Sequence, residues 1–164
     1  MASGIAVHDD VVKIFDQIRL RLQGADKQEQ LKLVLFKISE DGKCIIVDEK
    51  NCLKMKDVKG EEDVFKKIVN TMPMKDCCYA LYDCSWDSKD SPKEDLVFIM
   101  WVPELASIKE KMKYASSKQY LKAKFHGLKF EWQVNDISDA KDSSAFIEKL
   151  GGKGVVKKLE GKDV

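Results

Sequence analysis

The residue types that do chemistry are few in this chain and stand apart from one another. Its two histidines, His8 and His126, are far apart, and neither has Asp, Glu or Cys at metal-ligand spacing. His8 falls on the polar side of a predicted first helix and His126 at a helix end before Gly127, which makes both solvated side chains. None of the five cysteines forms a CxxC pair. Cys77, Cys78 and Cys84 lie on or beside an apolar strand, where free cysteine packs as a small hydrophobe. Gly151-Gly152-Lys153-Gly154 fits neither GxxxxGKS/T nor GxGxxG. At a helix C-terminus these glycines would also offer carbonyls, the wrong polarity for phosphate. The residues predict no catalytic centre, no metal and no cofactor: a binding protein rather than an enzyme.

The chemistry that is concentrated is electrostatic. In DLVFIMWVPELASIKEKMKYASSKQYLK, Asp95 to Lys122, an apolar run from Leu96 to Val102 stops at Pro103 and a basic helix follows. Seven apolar residues of strand type suit a strand buried on both faces, which needs helices on both sides of a sheet. The helix behind it carries Lys109, Lys111, Lys113, Lys118, Lys122 and Lys124. Solubility accounts for any one of these lysines. Ser116-Ser117 is less ordinary, because serine is a mediocre helix former and a small polar residue lets another backbone approach. The segment predicts a helix presented for protein docking.

The surrounding elements can be read from periodicity. Val7, Val11, Ile14, Ile18 and Leu22 predict a helix over 6–22. Leu31–Ile38 and Cys44–Val47 read as strands joined through the Asp41-Gly42 turn signal. Val64, Phe65, Ile68 and Val69 mark a short helix. Cys77–Cys84 and Leu96–Val102 form the expected hairpin, with polar 85–94, including Pro92, projecting into solvent. The long helix is predicted over 107–125. One line of it is Ile108, Met112 and Ala115, the other Tyr114, Leu121 and Phe125, leaving a lysine face. Leu128, Phe130, Trp132 and Val134 alternate as a strand, and Ala140, Ile147 and Leu150 anchor a last helix that Gly151-Gly152 ends.

Composition bounds the class. The 164 residues suit a single α/β (α+β) domain over 1–164. Charged residues are 35% of the chain, yet 29 basic and 28 acidic residues leave a net charge of +1, against a dedicated nucleic-acid binder. The N-terminus lacks the basic start and apolar stretch of a secretory signal, no run nears the roughly 18 apolar residues of a membrane span, and the unpaired cysteines fit a reducing compartment. A cytoplasmic protein is expected.

Several segments are more specific than these patterns: Met1-Ala2-Ser3-Gly4, DCCYALYDC (Asp76 to Cys84), KEDLVFIMWVPE (Lys93 to Glu104), IKEKMKYASSK (Ile108 to Lys118) and EKLGG (Glu148 to Gly152). Through them the chain resembles the actin-depolymerising factor/cofilin family, from MASGIAV to the terminal LEGK. The resemblance implies one ADF-homology domain, with a mixed sheet of five or six strands and helices on both faces. It implies a cytoskeletal monomer that binds actin monomers and filament sides, favours ADP-bound subunits, and severs and depolymerises filaments without catalysing a reaction. The alternative within the fold is a module that binds actin monomers or phosphoinositides without severing.

Carried over by position, the surface for monomer and filament comprises Ser3, Lys109, Lys111, Met112, Ser116, Ser117, Lys118 and Leu121. A filament-only surface comprises Lys93 and Asp95 with Glu148 and Lys149. Ser3 is the implied phosphorylation switch, set by a kinase and a phosphatase, and phosphoinositides are a further implied partner at overlapping basic residues. Three departures stand out. The basic run that serves nuclear import in relatives reads Asp26-Lys27-Gln28-Glu29-Gln30-Leu31-Lys32 here. Phe130 occupies the position of a pH-sensing histidine. Leu121 and Ala123 interrupt the lysines at the end of the long helix.

Overall fold

The computed structural model describes residues 5–20 and 26–164. In chain order its elements are β1 (Ala6–Val7), α1 (Asp9–Leu20), β2 (Leu31–Ile38), β3 (Cys44–Val47), β4 (Leu53–Lys54), α2 (Met55–Val58), α3 (Val64–Thr71), β5 (Cys78–Ser88), β6 (Pro92–Trp101), α4 (Ile108–Lys122), β7 (Phe130–Val134), α5 (Ile137–Lys141), α6 (Ser143–Leu150), β8 (Val156–Leu159) and β9 (Lys162–Asp163). The strands join in one mixed sheet whose main path is β1-β3-β2-β5-β6-β7, with β4 attached to β2 and the β8–β9 pair to β5. Six strands lie on that path, and the three short ones off it bring the sheet to nine where the family resemblance implies five or six.

Alternation along the central strands divides the core between the two faces. Tyr79, Leu81, Phe98 and Met100 pack with Val11, Phe15 and Ile18 of α1 and with Tyr114 and Leu121 of α4. Ala80, Tyr82, Val97, Ile99 and Trp101 face the other way, onto Phe65 and Ile68 of α3 and Phe146, Ile147 and Leu150 of α6. Each buried Val, Leu, Ile, Phe or Met among them contributes about 1.5–3 kcal/mol by leaving water. Strands β6 and β7 run parallel, from Val97 opposite Phe130 to Trp101 opposite Val134. A parallel pair needs a crossover, and α4 is that crossover, so it has to lie over one face of the sheet.

Three expected boundaries are corrected. The first helix begins at Asp9, because Val7 pairs with Ile45 in the sheet instead. His8 therefore precedes the helix, and its Nδ1 accepts the Asp10 N–H at 3.1 Å, a capping role. Leu22 lies outside the described residues. The connection expected over 85–94 is mostly strand: β5 and β6 pair without a break from Cys78–Trp101 to Asp87–Pro92. Buried Trp86 extends the core that far, and Pro92 is tolerated as the first residue of its strand. The turn is only Lys89-Asp90-Ser91, closed by Ser88 N–H to the Ser91 carbonyl at 2.9 Å. The last helix is two helices. Asp142 leaves helical geometry between them, and its carboxylate accepts the Ser144 N–H at 3.0 Å to start α6.

Candidate functional site

Helix α4 is pinned on its inner side at both ends. Ser107 caps it, its Oγ accepting the Glu110 N–H at 3.1 Å, and the Glu110 carboxylate accepts the backbone N–H of Cys77. The Tyr114 hydroxyl accepts the Ile38 N–H at 2.9 Å, while the Tyr79 hydroxyl donates to the Tyr114 carbonyl. Further along, Lys118 and Lys122 each reach Glu131 of β7 at 2.6 Å. Burial would raise the Glu131 carboxyl, but the two ammonium groups outweigh it and hold it below the usual carboxylate range. A helix fastened this way offers a rigid outer face, which lowers the ordering cost of any contact made there.

That outer face is apolar where solvent should favour charge. Ile108 and Met112 are 76% and 68% exposed, and Leu105, in the turn just before the helix, is 66% exposed. At 100° per residue Met112 stands about 160° from Tyr114, so the two apolar lines predicted for this helix cannot both be buried. Tyr114 and Leu121 take the core, and Ile108, Met112 and Ala115 are left outside. Small, exposed Ala115 and Ser116 lie beside Met112, with exposed Lys109 and Lys113 on the flank.

The sequence-predicted residues of this helix divide accordingly. Lys109, Met112 and Ser116 are exposed, and Lys111 is half-buried with its Nζ 3.1 Å from the Glu104 carbonyl. Lys118 is half-buried against Glu131. Ser117 and Leu121 are corrected: at 5% and 0% exposure they face the core and cannot supply the expected surface contact. Ser3 lies outside the described residues. Ile108 is a further exposed apolar residue, and the excess of apolar lines on one helix carries that signal; exposed Leu105, in the turn before the helix, has no such signal in the sequence.

The second predicted group is split between β6, which carries Lys93 and Asp95, and α6, which carries Glu148 and Lys149. Lys93 is exposed on β6 directly opposite Trp86 in the ladder, not on a projecting loop. Asp95 is half-buried, its carboxylate accepting the Trp86 indole N–H at 2.9 Å. Glu148 and Lys149 are exposed at the end of α6. Gly151 (φ 133°) and Gly152 (φ 85°) then turn the chain through conformations that favour glycine. The turn feeds β8, whose Leu159 pairs with Trp86 on the side opposite Lys93. Trp86 thus links the hairpin to the segment that follows α6. Helix α4 packs on one sheet face and α6 on the other.

The thiols are held as packing groups. Burial pushes the Cys77 thiol up to about 12 and raises those of Cys78 and Cys84 as well, so the nucleophilic thiolate is scarce at neutral pH. Among the described residues, no three His, Cys, Asp or Glu side chains gather in a way that could hold a metal ion, and no helix is long and apolar enough to cross a membrane.

Comparison with known proteins gives this surface its context. Actin depolymerization factor 2 of Plasmodium berghei superposes with a TM-score of 0.73 at 25% identity, covering 90% of this chain and 97% of that one. The ADF-like UNC-60A protein of Caenorhabditis elegans superposes with a TM-score of 0.67 at 28% identity, covering 92% and 96%. Coactosin from Entamoeba histolytica shares the fold, with a TM-score of 0.64 at 19% identity over 90% and 96%. Residues 4–151 match the cofilin/tropomyosin-type actin-binding protein family, and the chain belongs to that family.

Proposed function

We propose that this protein binds actin monomers and the sides of actin filaments, favours ADP-bound subunits, and severs and depolymerises the filament. The observation that carries the reading is the pair of exposed apolar residues Ile108 and Met112 on one side of a helix pinned from behind, with exposed Leu105 in the turn that leads into it. An apolar centre with small neighbours and a lysine rim has the make-up of an interface core, and the lysines suit an acidic partner. Severing needs no reaction. A ligand shifts a conformational equilibrium by its differential affinity for the two states, and stronger binding to a twisted filament supplies the work. Pelleting with filaments, alongside a monomer-binding titration, tests the reading. Binding to neither form would overturn it.

Lys93, Asp95, Glu148 and Lys149 make up the filament-only surface in this reading. Lys93→Ala with Lys149→Ala should leave monomer affinity within about twofold and lower filament affinity roughly tenfold, about 1.4 kcal/mol. Equal losses toward both forms would remove the case for two surfaces. The non-severing alternative predicts filaments that are bound or ignored but never cut. Its phosphoinositide version is weakened by the pairing of Lys118 and Lys122 with Glu131, which leaves fewer cations for an anionic headgroup.

Ser3 is the switch in the same reading, toggled by a kinase and a phosphatase. Phosphate brings about −1.5 to −2 charges at pH 7, opposing an acidic partner. Ser3→Glu should weaken actin binding roughly tenfold at low salt and less at physiological salt, where screening acts over about 8 Å. Ser3→Ala should bind like the unmodified chain. A phosphorylated protein that binds and severs normally would contradict the switch.

A further inference from the structure

Glu160, between β8 and β9, is the sole non-glycine with positive φ (50°) among the described residues. The two-residue turn between paired Leu159 and Lys162 asks for positive φ at both Glu160 and Gly161, and the Glu160 side chain is held in place by its surroundings. The Glu160 carboxylate is 6% exposed and lies 2.7 Å from the ammonium of Lys32, itself 2% exposed at the start of β2. The same carboxylate accepts the Tyr82 hydroxyl and, at 3.2 Å, the Ser85 N–H. The Glu160 N–H donates to the Ser85 carbonyl at 2.8 Å, and the Lys32 ammonium stands 5.4 Å from the Tyr82 ring centre.

A buried ion pair is a weak choice for stability alone, since well-packed apolar residues of similar volume often do as well or better. What this pair does is join three parts of the sheet at one place. Ser85 adjoins Trp86, which pairs with Lys93 on one side and with Leu159 on the other and binds Asp95 through its indole. We propose that Glu160 is a positioning residue. With Lys32 and Tyr82 it fastens the β8–β9 segment along β5, and so sets the place of the hairpin end that offers Lys93 and Asp95 to the filament. The assignment rests on the filament-surface reading above.

The test uses the full chain with Lys32→Met and Glu160→Leu together, a pair that leaves no orphaned buried charge. Tyr82→Phe serves as a second variant that keeps both charges and removes one hydrogen bond to the Glu160 carboxylate. Amide hydrogen exchange should quicken roughly tenfold over Ser85–Ser91 in both, as local opening becomes easier, and stay unchanged in α4. Filament affinity should fall roughly tenfold while monomer affinity holds within about twofold. Unchanged exchange over Ser85–Ser91, or equal losses toward monomer and filament, would overturn the proposal. Lys93→Ala with Lys149→Ala runs in parallel. If that variant keeps full filament affinity, the surface reading has failed by itself, and the exchange at Ser85–Ser91 then decides the positioning role alone.

Discussion

A chain carrying Ile108→Asp with Met112→Asp should fold normally and bind actin, monomer and filament alike, at least about a hundredfold more weakly, near 2.7 kcal/mol. Both side chains are more than two-thirds exposed, and surface changes of that kind usually move stability by no more than about 0.5 kcal/mol. Binding is another matter. The change removes the apolar centre of the contact and places two carboxylates in a zone that must lose its water. Leu121→Asp on the same helix is the control with the opposite outcome. Its site is 0% exposed, so an unpaired charge there should unfold the chain. Thermal melts followed by circular dichroism, with fluorescence titration of monomeric actin, separate the two results. Wild-type affinity in the Ile108/Met112 variant would exclude the outer face of α4 as the docking surface.

Phe146→Ala should destabilise the fold by about 3–5 kcal/mol, the range for removing a fully buried phenyl ring. Phe146 is 0% exposed. Its ring lies 5.0 Å from Phe65, 5.0 Å from Trp132 and 5.7 Å from Tyr82, centre to centre. It therefore ties α6 to α3 and to two strands, and few neighbours can move to fill the space it leaves. Phe146→Leu should recover much of the loss. Because α6 carries Glu148 and Lys149, the Ala variant should also lose filament affinity before monomer affinity as temperature rises. Urea unfolding measures the first effect, and a loss under about 1 kcal/mol would show that the aromatic cluster repacks.

The central strands were legible because their residues combine apolar runs with alternation: Tyr79, Leu81 and Phe98 face one way, and Ala80, Tyr82 and Ile99 the other. The short strands were not. Ala6–Val7, Leu53–Lys54 and Lys162–Asp163 are two residues long, too short to show any period. Val156–Leu159 reads VKKL, with only its ends buried. The long helix was found, but its inner and outer faces were confused: two apolar lines were visible, and only the sheet decides which of them it covers. Lys32 and Glu160 are 128 positions apart. In sequence each is an ordinary charge, and their pairing exists only once β8 lies along β5. For the proposed docking surface, resemblance supplied the region, and the structure adds which of its residues are exposed: Met112 and Ser116 are, whereas Ser117 and Leu121 turn inward.

Imaging single labelled actin filaments while the purified chain flows over them tests the central claim most directly. Filaments assembled with ADP should acquire breaks along their length, at a rate that rises with added protein, and the Ile108/Met112 variant at equal concentration should leave them whole. Filaments that stay intact under saturating wild-type protein, whether decorated or bare, would contradict the account.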